Sequence, residues 1–239
     1  MNANSQRLLP ALRRGLIAAA GLAAVLAVLG LLIFPDALAD WHNSLPGLAG
    51  VLFVLAGYAA LGPWAFARLE RLDARLLRLA LLFGLLAGAI YSIEIVAEYI
   101  LLPNDNTTYG LVEFGLVFLC YLLAGFSAGW LARRVGYRLL AAVGAALIST
   151  VIWYCVLLAT SYVMKGTPQQ ALVFRAEGDL VDFAQSGAAN FQAWMMEDFL
   201  GAGFYHLLLG PLVAAILGAL GALAGKAATW RPSRSQPRT

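Results

Sequence analysis

Residues 79–102 read LALLFGLLAGAIYSIEIVAEYILL, and this stretch decides the fold class of the chain. Its only charged residues are Glu94 and Glu98. As an α-helix these 24 residues would extend about 36 Å, which exceeds the roughly 30 Å hydrocarbon core of a bilayer. A backbone in lipid has no water to bond, so it must satisfy its own polar groups, as a helix does. The stretch is therefore predicted to be a transmembrane helix that carries two acidic side chains.

Five further apolar runs of similar length flank this one. The composition agrees, since 62% of the 239 residues are hydrophobic and 12% are charged, whereas a soluble domain has about 25% charged residues. The sequence therefore predicts an all-α fold, a polytopic membrane protein built as a bundle of six transmembrane helices. The predicted spans are approximately residues 15–34, 47–66, 79–102, 110–132, 139–163 and 203–225.

The six spans divide the chain into three parts. Residues 15–226 are predicted to form the transmembrane domain, between a basic N-terminal segment at 1–14 and a basic, disordered tail at 227–239. Residues 1–39 could instead be a cleaved signal peptide, because Ala37-Leu38-Ala39 fits the small-residue pattern of a cleavage site. The apolar core of the first span, about 20 residues, is longer than the 7–15 of most signal peptides, which favours a retained span.

The basic residues predict the orientation of the spans. Fourteen of the sixteen Lys and Arg residues lie before the first span, between the second and third, between the fourth and fifth, or after the sixth. Cytoplasmic loops are enriched in Lys and Arg, so both termini are predicted to be cytoplasmic. The excess of Arg over Lys, with abundant Ala, Leu and Gly, favours a bacterial source and hence the cytoplasmic (inner) membrane. The basic face is expected to contact anionic lipid headgroups, and no pattern indicates nucleic-acid binding.

A possible internal repeat relates the middle four spans. Shifting the chain by 63 residues aligns residues 47–99 with 110–162 without a gap, and eleven positions match, among them Tyr58 with Tyr121. The match is consistent with duplicated hairpins, and the first and sixth spans could form a third hairpin. Three such hairpins around a pseudo-threefold axis would enclose a central site or pore. Chance matching between apolar sequences is the alternative.

One long connection, residues 164–202, is predicted to lie on the outer face. Its first part, up to Asp179, contains Gly, Pro and Gln and is predicted to be a loop. From Asp179 onward, apolar residues recur at helical spacing as far as Phe199, which predicts one amphipathic helix. Such a helix could anchor in the membrane interface, or it could cover an outward-facing cavity as a lid.

Ionisable residues inside the spans are the candidate functional residues. Tyr91, Glu94 and Glu98 share one face of the third span, whereas aliphatic residues cover the opposite face. Glu113 lies about one turn inside the fourth span, and His206 lies about one turn inside the sixth. The three glutamates and the histidine could therefore meet in one layer near the outer surface. No Lys or Arg lies within any predicted span to neutralise the glutamates.

The cost of burying these charges restricts what they can do. A charged group inside a span costs about 2.5–3.5 kcal/mol, so such groups tend to face water or a partner and to mark function. Three interpretations fit: the glutamates and His206 could bind a cation, with Tyr91 as a hydrogen-bonding wall; they could carry protons; or they could bond neighbouring helices as a structural feature. No metal motif such as His-Glu-x-x-His occurs, so the identity of any metal stays unknown.

The sequence therefore predicts binding or transport of a cation or small polar solute through an outward-facing acidic site. The alternative is a non-catalytic subunit or scaffold that packs against another membrane protein, and a homo-oligomer is also compatible with the sequence. No phosphate-binding loop ending in Gly-Lys-Ser or Gly-Lys-Thr occurs, and His42 and His206 are the only histidines. We therefore predict no cofactor, and we regard an enzyme as the less favoured interpretation.

Overall fold

The computed structural model describes residues 3–39, 41–101, 106–131 and 135–229, and these residues form helices and short connections without any strand. Six of the helices are long and apolar enough to cross a membrane. The predicted fold class, an all-α bundle of six spans, is confirmed. In chain order the helices are α1 (Ala3–Ile33), α2 (Pro35–Ala39), α3 (Trp41–Leu72), α4 (Ala74–Leu101), α5 (Asn106–Leu131), α6 (Val135–Val163), α7 (Pro168–Glu177), α8 (Asp179–Ser186) and α9 (Phe191–Thr229).

The helices extend beyond the predicted spans. α1 begins at Ala3, inside the segment predicted to precede the first span. α9 ends at Thr229, and residues 230–239 of the predicted disordered tail lie outside the described residues. Between α3 and α4 only Asp73 is not helical, and its carboxylate accepts a 2.8 Å hydrogen bond from the Arg75 amide. This bond satisfies one of the free amides at the start of α4, so the predicted basic loop is a tight helical hairpin.

α6 lies at the centre of the bundle. In the most apolar part of α6, 67% of the residues are buried, compared with 28–39% in the other five spanning helices. Ala141, Ala142, Ala145 and Ala146 are fully buried, and such small side chains let the surrounding helices approach closely. Three equivalent hairpins around a pseudo-threefold axis would leave a site or pore on that axis. The burial of α6 is instead unlike that of the other spans, and α1 packs more extensively against α3 than against α9, which does not fit three equivalent hairpins.

A hydrogen bond from α3 completes the backbone of α9. Pro211 has no amide hydrogen, so it cannot bond the carbonyl group of Leu207, four residues earlier in the helix. The Tyr58 hydroxyl donates to that carbonyl oxygen at 2.6 Å. The same hydroxyl lies 2.8 Å from the hydroxyl of Thr150 on α6. α3, α6 and α9 are therefore joined at the level of the proline.

Glycine residues bring α5 and α9 into direct backbone contact. A Cβ atom placed on Gly125 would lie 2.5 Å from the Cα atom of Gly218, and one placed on Gly129 would lie 2.6 Å from the carbonyl oxygen of Ala222. Neither distance leaves room for a methyl group. Because lipid supplies no hydrophobic force between helices, close approach at small residues provides much of the packing energy. The small-residue pairs of these two spans thus serve packing within the bundle.

The outer connection differs from the prediction. The segment predicted to be a loop contains α7, which starts at Pro168, a residue whose fixed φ suits the first turn of a helix. The single amphipathic helix predicted from Asp179 to Phe199 is interrupted at Gly187, whose φ of 73° favours glycine. Its first part is α8. Its second part is the start of α9, which Asn190 caps by accepting two backbone amide hydrogen bonds.

The contact between α5 and α9 predicts opposite effects of the same substitution at two glycines. Gly125→Ala should lower the free energy of unfolding by about 1–3 kcal/mol, because the new methyl group overlaps the α9 backbone. Gly57→Ala on α3 should be neutral or stabilise by up to about 1 kcal/mol, because no atom lies within 4 Å of its methyl group. Thermal unfolding in detergent measures both effects. Equal melting temperatures for the two variants would contradict the close contact.

The Tyr58 hydrogen bond predicts the result of a double-mutant cycle. Tyr58→Phe leaves the Leu207 carbonyl without its partner and should cost about 1–3 kcal/mol. Pro211→Ala restores the amide that can bond this carbonyl within α9, so Tyr58→Phe should cost less in that background. Melting temperatures of the four proteins give the coupling. An identical cost in both backgrounds would show that the hydroxyl does not serve the carbonyl.

Candidate functional site

A cavity of about 260 Å³ lies at the end of the bundle where α4 ends and α5 and α9 begin. α4, α5, α6 and α9 form its walls, and α7 and the start of α8 cover it. Six carboxyl groups line the cavity, and no Lys or Arg is among its lining residues. Its polar lining consists of Tyr91, Glu94, Glu98, Tyr99, Glu113, Ser161, Glu177, Asp179, Asp198 and His206.

All five candidate residues identified from the sequence line this one cavity. Tyr91, Glu94 and Glu98 come from α4, Glu113 comes from α5, and His206 comes from α9. The aliphatic face of α4 lies on the outside of the bundle, as expected for a surface in contact with lipid. The structure therefore brings the five side chains together, while their role in binding stays a prediction.

Three carboxyl residues of the cavity lie outside the predicted spans, and the sequence does not predict them to be near the other three. Asp198 precedes His206 by eight residues and shares its face of α9, which becomes visible only when the helix begins earlier than predicted. Glu177 and Asp179 lie on either side of Gly178, whose φ of 90° turns the chain between α7 and α8. They reach the cavity because α7 folds over it, a tertiary contact that no local periodicity reveals.

The carboxyl groups lie close enough to interact with one another. The Glu98 carboxyl group is within hydrogen-bonding reach of the Glu94 carboxyl group and of the Glu177 carboxyl group. Two carboxyl groups share a hydrogen bond only when one of them carries a proton, and two carboxylates at that distance repel each other. Because no Lys or Arg is among the described residues that line the cavity, the charge can be offset by protons, by water, by a cation or by protonation of His206.

Glu113 is the most buried of the six carboxyl residues. Its side chain belongs to a residue that is 5% exposed, and its Oε1 atom has no hydrogen-bond partner among the described residues. A buried polar atom without a partner costs about 1–3 kcal/mol, and more when it is charged. Since Glu113 lines the cavity, a bound ligand could supply the missing partner.

The orientation of His206 is fixed by two contacts. Its Nδ1 atom donates a 3.0 Å hydrogen bond to the carbonyl oxygen of Ala202. Its ring stacks on Trp153 of α6, with 4.1 Å between ring centroids and 25° between planes. Because Nδ1 carries the proton that it donates, Nε2 of the neutral ring is unprotonated and can accept a hydrogen bond or bind a cation.

Most described basic residues lie at the end of the bundle opposite the cavity. They occupy the first half of α1, the end of α3, the start of α4 and the end of α9, and they are Arg13, Arg14, Arg68, Arg71, Arg75, Arg78 and Lys226. Arg133 and Arg134 lie outside the described residues. At the other end, the ammonium group of Lys165 lies 4.5 Å above the Phe34 ring and bonds the Ile33 carbonyl oxygen. The charge of the molecule is thus strongly separated along the helices.

The carboxyl groups do not converge on a single point. Over residues 3–39, 41–101, 106–131 and 135–229, no three His, Cys, Asp or Glu side chains are close enough to hold a metal ion. A metal site formed by Glu94, Glu98, Glu113 and His206 would therefore have to assemble on binding. The acidic groups instead lie at different depths along the cavity.

One sequence motif is explained by packing. Residues 125–129 read GFSAG, which matches the Gly-x-Ser-x-Gly pattern that exposes a nucleophilic serine at a strand-to-helix turn. Here the pattern lies in the middle of α5, and both of its glycines contact the backbone of α9. The helical context gives this match no catalytic meaning.

Glu177, the last residue of α7, and Asp179, the first residue of α8, lie outside the spans. Partial burial raises the pKa of Asp179 to about 6, and repulsion by Asp198, Asp182 and Glu98 adds to the rise. Burial, and then repulsion by Glu98, likewise raise the pKa of Glu177. Both groups therefore hold protons more tightly in the folded chain than in the unfolded chain.

The raised pKa of Asp179 predicts how stability depends on pH without added cation. Between the ordinary pKa of 3.8 and about 6, the folded state keeps a proton that the unfolded state loses, so stability falls as pH rises through this window. Asp179→Asn removes the carboxyl group and therefore this pH-dependent loss of stability. At a pH above this window the variant should exceed wild type by on the order of 1 kcal/mol, because solvent screens part of the repulsion.

Thermal unfolding of both proteins at pH values below and above the window measures this difference, with Glu70→Gln at the opposite end as the control. A constant difference between wild type and Asp179→Asn at every pH would show that the carboxyl group is not crowded.

Comparison of the chain with protein-family models, with curated proteins and with solved structures finds no match. The function is therefore inferred from the cavity itself.

Proposed function

We propose that this membrane protein binds a cation or a small polar solute in the cavity between α4, α5, α6 and α9, for transport across the membrane or for binding alone. The charge of the cavity is the observation that supports this most, because six carboxyl groups line it and no Lys or Arg does. Attraction between charges is stronger in a cavity of low dielectric constant than in water. A cation that enters would therefore relieve the repulsion among the carboxyl groups.

We also propose that the cavity opens to the outer side of a bacterial cytoplasmic membrane, with both termini in the cytoplasm. The basic residues at the opposite end support this orientation, since Lys and Arg are enriched on cytoplasmic faces. They would contact anionic lipid headgroups there. A ligand would then enter from outside, beneath α7.

The alternative role, a non-catalytic subunit or scaffold, has less support. A scaffold would be expected to have a filled core and an exposed face of small residues for its partner. Gly125 and Gly129 of α5 are instead covered by α9, and the glutamates line a cavity. Both observations favour a binding site over a packing surface.

Thermal unfolding of the detergent-purified protein in the presence of different cations tests the proposal. Divalent metal ions and organic amines are added separately at one pH, and one class should raise the melting temperature. A ligand that binds only the folded state stabilises it by about 2.7 kcal/mol at a concentration one hundred times its Kd. Glu113→Gln should lose most of this shift, because it removes a buried negative charge from the cavity.

Two controls make the result specific. Glu70→Gln, on α3 at the opposite end, should keep the full shift. Without added cation, Glu113→Gln should be at least as stable as wild type, because a neutral amide replaces a buried carboxyl group that lies among other carboxyl groups. If no cation shifts the melting temperature of wild type, the carboxyl groups have a structural role and the scaffold becomes the better account.

A further inference from the structure

The acidic groups of the cavity form a column. On α9, Asp198 and His206 are eight residues apart, which corresponds to about 12 Å along a helix. On α4, Glu94 and Glu98 are separated by about 6 Å along the axis. Metal ions bind oxygen ligands at about 2.0–2.6 Å, and the described part of the chain has no three His, Cys, Asp or Glu side chains arranged to hold a metal ion. Such spacing suits a ligand whose own positive charges are separated.

Aromatic rings form the walls between the acidic groups. The ring centroid of Tyr91 lies 6.2 Å from that of Phe114 and 6.2 Å from that of Trp153. Phe174 and Phe199 line the part of the cavity nearer α7. Aromatic faces attract organic cations and pack well against methylene groups. The walls therefore favour an organic ligand over a bare or hydrated ion.

The cavity has a carboxyl group without a compensating charge at each end. The inner end holds Glu113, whose Oε1 atom lacks a partner among the described residues, and His206 lines the same cavity. The outer end holds Asp179 and Asp198. An ammonium group donates three hydrogen bonds and carries one charge. One such group could pair with Glu113 while a second pairs with the outer carboxylates.

We infer that the ligand is a linear organic cation with two ammonium groups joined by a short methylene chain. This inference rests on the proposed function, because it names the ligand class of the same cavity. The volume of about 260 Å³ equals that of roughly eight or nine water molecules, which matches a chain of a similar number of heavy atoms. A monoamine would leave one end of the column unpaired, and a metal ion would leave the aromatic walls unused.

Calorimetric titration of the full chain in detergent with α,ω-diaminoalkanes tests this inference. The diamines have about three to eight carbons, which brackets the axial spacing of about 6–12 Å. Butylamine and calcium chloride are titrated under the same conditions. Affinity should peak at one chain length, and butylamine should bind at least about tenfold more weakly, because it lacks the second charge-assisted pairing.

Two variants separate the ends of the cavity. Glu113→Gln should lower the affinity for butylamine and for the tightest-binding diamine alike, by about tenfold or more, because both ligands pair with the inner end. Asp198→Asn should weaken diamine binding by a similar factor and leave butylamine binding unchanged. Asp198→Glu should restore the affinity for the diamine. The matched control is Glu197→Gln, one residue away on α9, because Glu197 lines a different groove beside Trp194. It should leave both affinities unchanged.

The possible outcomes distinguish this inference from the proposed function. If calcium or butylamine binds as tightly as every diamine and Glu113→Gln abolishes the binding, the diamine inference is overturned and the cation site stands. If diamines bind equally well to wild type, Glu113→Gln and Asp198→Asn, the ligand lies outside the cavity and both proposals are overturned. Binding of no probe also overturns both.

Discussion

Within the hydrocarbon of a membrane, the polar atoms of a helix bundle must find their partners inside the protein. The helices pair their own backbone groups, and three tyrosine hydroxyls add bonds between helices: Tyr58 bonds the carbonyl that Pro211 leaves free, Tyr121 bonds a hydroxyl of α6, and Tyr162 bonds a carbonyl of α1. Each of these bonds joins two helices. The need to satisfy polar atoms therefore also holds α1, α5 and α9 in place around the central α6, while glycine contacts bring α5 against α9.

At one end of the bundle the same constraint is not met. Glu113 is buried with an oxygen that has no partner among the described residues, and no Lys or Arg lines the cavity to neutralise the carboxyl groups. A protein of marginal stability keeps such an arrangement at a cost, and costly ionisable groups inside spans commonly mark function. The end of α7 and the start of α8 add two more acidic groups at the mouth, Glu177 and Asp179. The fold thus concentrates negative charge where a cation could enter and be enclosed.

Local sequence determines part of this arrangement and not the rest. Span length and helical periodicity predict the six helices and the shared face of Glu94 and Glu98, because both depend only on neighbours along the chain. Counting residues from the span ends places Glu113 and His206 at a similar depth. The central position of α6 depends on how six helices pack, and the acidic residues beside Gly178 reach the cavity only because α7 folds back over it. Neither property leaves a periodic signal in the sequence.

A cation bound in the cavity is expected to take the place of protons on the crowded carboxyl groups. The most direct measurement is proton release when the four-carbon diamine or calcium binds to the detergent-solubilised chain in weakly buffered solution near pH 6. Because a cation favours the charged form of a carboxyl group, binding should release protons, and Asp179→Asn should release fewer. Binding without proton release, or the same release from Asp179→Asn as from wild type, would contradict this claim.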